Sequence, residues 1–143
     1  NNKAFYVFDP GRREIFLYSL NFELTENLQL PEIQDNSIIL LHSYKEKLYF
    51  LNSRNVLFIY DAELALLGIK KLTTNDKTQI NPDCFTIVSK QSIMLINPTT
   101  AEKKILPPEK NIQAVASVLH QNTIFFTSND GLRKICLSNR QKN

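Results

Sequence analysis

A chain of 143 residues and 16.5 kDa has the length of one domain or of part of a larger one. With 43% hydrophobic and 22% charged residues it is globular in composition, and long enough to bury a core without staples. Three glycines, two cysteines and seventeen basic against fourteen acidic side chains, interspersed to a net +3, exclude a glycine-rich phosphate cradle, a disulfide scaffold and a concentrated basic stripe for nucleic acid.

The apolar runs are short, rich in Phe, Tyr, Ile and Val, and closed by Asp, Asn or Ser, which is strand chemistry. Phe5–Asp9 comes first. Asp9-Pro10-Gly11 supplies a preset φ and a residue tolerant of φ > 0, so the chain turns back into Ile15–Ser19. A third run ends at Leu28-Gln29-Leu30, where Pro31 has no donor to continue a ladder. Ser37–Leu41, Leu48–Asn52, Leu57–Asp61 and Lys70-Lys71-Leu72 then repeat the series with a further run in front. Asp61 to Lys71 has helical propensity, but its place in the repeat predicts a turn followed by a strand. The next round has Phe85–Ser89, Ile93–Asn97 and Lys104-Ile105-Leu106, preceded only by the weak Thr78-Gln79-Ile80. Gln113–Leu119, Ile124–Ser128 and Lys134–Ser138 close the chain, the last two joined by the hairpin signal Asn129-Asp130-Gly131.

Two independent tracks of strands thus keep one period of about forty residues. With the strands of a unit labelled a to d, the order is b-c-d, a-b-c-d, a-b-c-d, a-b-c. A four-stranded antiparallel unit at this period is a β-propeller blade, because one such sheet cannot bury both apolar faces unless neighbours stack on it. The expected fold is therefore all-β: propeller blades of four antiparallel strands in an incomplete ring, with blade segments 1–33, 34–74, 75–109 and 110–143. Two terminal blade faces would stay open, so a protein partner is expected to complete the ring, and the chain alone is not expected to be a soluble monomer.

The order Leu-Pro, apolar strand, Leu-Tyr-Phe, hairpin, Leu-Phe-Ile-Tyr-Asp resembles the kelch-type propeller repeat, first from Leu30-Pro31 to Asp61 and again from Leu106-Pro107 to Leu137. It departs from that pattern where a glycine pair should end strand b, at Asp9-Pro10, Asn52-Ser53, Ser89-Lys90 and Ser128-Asn129, and it has no tryptophan. The resemblance implies adaptor work between proteins, of the kind done in cytoskeletal assembly or in presenting substrates to a ubiquitin ligase.

Chemistry is thin. No nucleophile elbow, zinc-binding His-Glu-x-x-His, phosphate loop or paired Cys-x-x-Cys occurs, so no catalytic, metal or cofactor residue is assigned. Cys84 and Cys136 read as small hydrophobes in the fold. His42 and His120 each follow an a strand and read as repeat equivalents. Asp9, Asp61, Asp83 and Asp130 sit at strand ends, where Asp caps turns. A propeller enzyme of glycosidase or oxidase type, with residues partly outside this chain, is the alternative. No apolar run is long enough to span a membrane, and the lack of a signal core and of an N-glycosylation acceptor leads us to expect a cytoplasmic, intracellular chain.

Alternating strand direction puts the b–c and d–a connections at one end of each blade. Candidate partner-binding residues gather there: Arg12 and Arg13 in the first b–c hairpin, Arg54 and Asn55 in the second, Asn129 and Asp130 in the last, together with the Thr73–Asp83 loop. Arginine suits carboxylate recognition, so an acidic peptide or partner is the expected occupant.

Overall fold

The computed structural model describes residues 4–9, 11–30, 38–89, 92–106 and 114–137. Pro10, Pro31, Ser37, Pro107, Gln113 and Ser138, all used above, lie outside them. Within the described residues every regular element is a strand. They form four sheets. Sheet 1 contains β1 (Ala4–Asp9), β2 (Glu14–Ser19) and β3 (Leu24–Gln29). Sheet 2 contains β4 (Ile38–Tyr44), β5 (Lys47–Asn52), β6 (Val56–Asp61) and β7 (Leu66–Lys71), antiparallel along β4–β5–β6 and joined in sequence order. β8 (Thr73–Thr74), β9 (Phe85–Ser89), β10 (Ser92–Asn97) and β11 (Glu102–Leu106) make sheet 3. Sheet 4 has β12 (Ala114–His120), β13 (Thr123–Ser128) and β14 (Gly131–Cys136). The chain divides into two compact units, Asn1–Ile69 and Lys70–Asn143.

The b and c tracks fall on β1/β2, β5/β6, β9/β10 and β13/β14, as the period predicts. Three details differ. The d strands start earlier than their leucines, because the c–d turns are short. β14 begins at Gly131, which pairs with Ser128 across a two-residue Asn129-Asp130 turn, so the last c strand lies upstream of the expected Lys134–Ser138. Thr78-Gln79-Ile80 is not a strand. The fourth strand of sheet 3 is instead β8, which joins the outside of β11 in parallel, Thr73 opposite Glu102 and Thr74 opposite Lys103. Asp61 to Lys71 is a turn and then β7, with no helix.

Asp9, Asn52, Ser19 and Asp61, which close four of the runs, have one physical job. Their side-chain oxygens accept backbone amides of the turn that follows, which would otherwise lack partners. Asp9 Oδ1 takes the amides of Gly11 (2.8 Å) and Arg12 (3.1 Å). Asn52 Oδ1 takes those of Arg54 (3.0 Å) and Val56 (2.9 Å). After strand c, Ser19 Oγ serves Asn21 and Glu23, and Asp61 Oδ1 serves Glu63 and Ala65. These two c–d turns are copies of each other. In both the fourth residue, Phe22 or Leu64, is left-handed (φ 63° and 64°) and its amide returns to the Ser19 or Asp61 carbonyl. Neither is glycine, so both positions are strained.

Each unit has its own core between two sheets. In the first, Ile15 of sheet 1 packs with Leu48, Phe50, Phe58 and Tyr60 of sheet 2, with Tyr6, Phe8 and Leu28 against them. Phe50 meets Phe8 and Tyr60 edge-on, at ring separations of 5.4 and 5.5 Å. The Tyr6 hydroxyl donates to the Ala62 carbonyl (3.1 Å) in the c–d turn of sheet 2, and burial, followed by the nearby Asp61 charge, raises its pKa. In the second unit, Ile93 and Leu106 of sheet 3 pack with Ala114, Ile124 and Phe126 of sheet 4, beside Val88, Leu119 and Ile135.

Candidate functional site

Strand register turns the repeat into a code for faces. Cross-strand partners share a face. In sheet 1, Phe5 opposes Tyr18 and Val7 opposes Phe16, whereas Tyr6 opposes Leu17 and Phe8 opposes Ile15. The second set looks toward sheet 2, through Tyr6, Phe8 and Ile15. The positions in sheet 2 equivalent to the first set are Leu48 and Phe50, opposite Tyr60 and Phe58. All four are buried against sheet 1. Each blade therefore has a leading face, carried by the first and third apolar positions of strand b, and a trailing face, carried by the second and fourth. In the first unit the trailing face of sheet 1 meets the leading face of sheet 2. The second unit obeys the same rule: Val88 and Ile93 of sheet 3 trail, while Ile124, Phe126 and Ile135 of sheet 4 lead.

Two faces of this kind are exposed. On the leading face of sheet 1, Phe5 and Val7 are 44% and 50% exposed, where their equivalents Leu48 and Phe50 are 1% and 0%. Leu24 and Phe22 extend this surface, and the Phe22 ring stacks on Phe5 at 5.5 Å. On the trailing face of sheet 4, Leu132 is 73% exposed, where its equivalents Ile15 and Ile93 are 0% and 5%. Val118 and its half-buried neighbour Phe125 share that face with Leu132.

The b–c turns hold the residues singled out for partner binding. Arg12 is exposed and its Nε lies 3.8 Å from Asp9 Oδ2, while its amide is taken by Asp9 Oδ1. Arg13 and Asn55 are the left-handed residues just before their c strands (φ 57° and 62°). The Arg54 amide is held by Asn52. These four lie on the two b–c turns of the first unit. Asn129 and Asp130 lie on the b–c turn of sheet 4, where Asp130 Oδ2 is 3.5 Å from Arg133 Nη2. Both terminal sheets thus carry an acid–arginine pair on this turn, not an arginine cluster alone.

The Thr73–Asp83 loop is not with them. It lies at the c–d end of sheet 3, because β8 pairs with the start of β11 and the loop then follows that end across to β9. A web of side-chain amides fixes it. Asn75 donates through Nδ2 to Glu102 Oε1 (2.7 Å) and through its backbone amide to the Lys103 carbonyl (2.8 Å). Asn97, 1% exposed, is the knot: Nδ2 donates to the Gln79 carbonyl (3.0 Å), and Oδ1 accepts from Asn81 Nδ2 (3.2 Å), Thr99 N (3.1 Å) and Thr100 N (3.2 Å). Cys84 Sγ is 3.3 Å from the Asn81 amide and 3.5 Å from the Gln79 carbonyl, and burial pushes the thiol pKa up. That is the setting of an inert thiol. Strand periodicity gave no sign of this network; three asparagines around a failed strand, Asn75, Asn81 and Asn97, were its only trace.

Cys136, in contrast with the sequence expectation, is exposed. The histidines are not repeat equivalents either. His42 lies within β4 opposite Tyr49, whereas His120 ends β12 opposite Thr123, two positions further along the ladder. Partial burial lowers the His42 pKa. Among the described residues no three metal-ligating side chains come together.

No protein-family model matches the chain, and no curated protein matches it in sequence. Solved structures do match it in shape. BamB from Moraxella catarrhalis is similar over 95% of this chain and 45% of its own, at 13% identity and a TM-score of 0.58. Myxococcus xanthus glutaminyl cyclase is similar over 96% of this chain and 71% of its own, at 10% identity and a TM-score of 0.64. Chaetomium thermophilum Raptor matches over 90% of this chain and 14% of its own, at 11% identity and a TM-score of 0.56. All three are β-propeller proteins. The fold is that of a β-propeller. This chain spans less than half the length of the BamB chain it resembles, and the propellers it matches include an enzyme as well as non-enzymes.

Proposed function

We propose that the chain is a non-catalytic interaction scaffold built on divergent kelch-type propeller blades, working inside the cell through protein contacts. The observation that carries this reading is the set of b–c turns on a propeller fold, where Arg12 and Arg54 stand exposed while Asp9 and Asn52 fix the turn backbone. The strand-end carboxylates support a non-catalytic role, since Asp9 and Asp61 commit an oxygen to turn amides. The free thiols of Cys84 and Cys136 are in keeping with an intracellular setting. The Leu-Pro steps at Leu30-Pro31 and Leu106-Pro107 support the kelch-type reading. Adaptor duty follows from that likeness.

Within this reading the b–c turns present Arg12, Arg13 and Arg54 to an acidic protein segment. Affinity capture with the tagged chain tests it. A defined set of proteins should be recovered, and Arg12→Ala/Arg13→Ala/Arg54→Ala should deplete members of that set. Recovery of the same proteins in the same amounts by the triple variant would remove these turns from the scaffold's working surface.

A further inference from the structure

Resting on the scaffold reading, we infer that the acidic protein segment it calls for docks as an added strand on the outer edge of β7. Sheet 2 has its four strands and β7 ends their order, so its outer side meets no further strand among the described residues. The corresponding edges of sheets 1 and 3 are protected. In sheet 3, β8 pairs with the outside of β11. In sheet 1, β3 exposes Thr25, Glu26 and Asn27, and a charge in the middle of an edge strand discourages a further strand. Because the c–d turns before β3 and β7 are copies, Leu67, Gly68 and Ile69 stand where Thr25, Glu26 and Asn27 do. Leu67 and Ile69 are half exposed. Gly68 lies inside the strand, its φ is outside the left-handed region, and a Cβ built on it would meet no heavy atom within 4 Å. Neither turn geometry nor packing among the described residues therefore asks for glycine there. A glycine inside a strand also marks a place where another backbone comes close. An added strand uses the space by setting an aromatic ring over Gly68, with aliphatic side chains against Leu67 and Ile69.

Charge names the rest of the occupant. β7 runs from the c–d turn toward the b–c end of sheet 2, the end assigned above to an acidic segment, and its last residues are Lys70 and Lys71. Lys70 Nζ donates to the neutral carbonyls of Pro98 (2.5 Å) and Thr99 (3.3 Å), which leaves its charge for an acid. A second copy of β7 laid antiparallel in full register would set Lys71 against Leu66 and Lys70 against Leu67, so it offers no such acid. The fitting occupant is an extended antiparallel segment of a partner protein: two acids opposite Lys71 and Lys70, then an aliphatic, an aromatic and an aliphatic residue, with main-chain hydrogen bonds supplying the affinity.

The peptide Asp-Asp-Val-Phe-Val-Thr, carrying a fluorophore on a flexible linker, tests this in anisotropy titrations with the purified chain. It should bind saturably with a Kd between about 1 and 100 μM, and at least ~10-fold more weakly when lysine replaces both acids. In an antiparallel pair alternate residues turn their N–H to the neighbouring strand, so single backbone N-methyl groups on Phe and on the Val before it should differ in effect by at least ~10-fold. This arm uses the wild-type chain and does not depend on a variant folding. Gly68→Glu restores the acid that β3 carries at this position, in a space open to a side chain. Its Tm should stay within about 2 °C of wild type while peptide affinity falls at least ~10-fold. No saturation up to about 1 mM, equal effects of the two methyl groups, or a folded Gly68→Glu chain that binds the peptide as wild type does would each overturn the inference. So would self-association of the wild-type chain that Gly68→Glu abolishes, which gives the edge to a second copy. If the peptide fails while Arg12→Ala/Arg13→Ala/Arg54→Ala still depletes captured proteins, the scaffold reading stands and its segment docks elsewhere.

Discussion

Replacing Asn97 is the sharpest test of how the second unit is held. Asn97→Ala deletes four hydrogen bonds from a side chain with 1% exposure. The amides of Thr99 and Thr100 lie on an exposed turn and can rehydrate, so their loss resembles removal of a cap, about 1 kcal/mol. The bonds to Gln79 and Asn81 tie the loop to the sheet, and at about 1 kcal/mol each they bring the total to roughly 3 kcal/mol. For a chain of this size that lowers Tm by about 6 to 12 °C. Asn97→Asp separates donor from acceptor. The carboxylate still accepts from Asn81, Thr99 and Thr100, but it sets a charge against the Gln79 carbonyl where Nδ2 had donated. The aspartate variant should therefore keep the turn and lose the tie to Gln79, falling below wild type by at least about 1 kcal/mol. Urea unfolding followed by far-UV circular dichroism, at fixed protein concentration and pH 7, reads both effects. An alanine or an aspartate variant within about 0.5 kcal/mol of wild type would show that the amide is not the tie we describe.

Two further outcomes follow from buried groups. Thr86 Oγ1 is buried with no hydrogen-bond partner among the described residues, so Thr86→Val, of similar shape, should raise stability by about 1 kcal/mol in the same unfolding assay; a loss of that size would mean the hydroxyl has a partner. Burial holds the His42 pKa below its usual 6.5, so the unfolded chain binds the extra proton first: stability is full above about pH 6.5 and is lost as pH falls toward the folded value. His42→Gln should flatten this acid slope between pH 7 and 5 in thermal melts, and an unchanged slope would place the titrating group elsewhere.

The architecture was legible because period and punctuation agreed. Phe5–Asp9 and Leu48–Asn52 end on the residue that caps the next turn, so hydrophobicity and turn chemistry mark the same boundary. Where only one signal spoke, the boundary was misplaced. The apolar residues of Lys134 to Ser138 point to a later strand, but Gly131, compatible with its φ of 115°, lets the hairpin close earlier. Thr78-Gln79-Ile80 has the right place in the period and too little apolar content, and side-chain amides take over the work of a strand. β8 was beyond reach, since a two-residue parallel pairing leaves no periodic mark. Which side chains form the leading and the trailing face of each sheet required the register, because a shift of one residue would exchange them.

Sheet 3 grips its incoming segment in two places, with β8 clipped along the outside and Asn81 knotted to Asn97 at the end of the blade. Ordinary surface connections absorb inserted residues by bulging into solvent, but slack or tension here is transmitted to both grips together. The stretch from Thr73 to Cys84 therefore behaves as a strap of set length. It is the wrong place to graft a tag or an epitope, whereas the exposed tip at Asn129-Asp130, held by Ser128 and Arg133 of its own hairpin, would accept one.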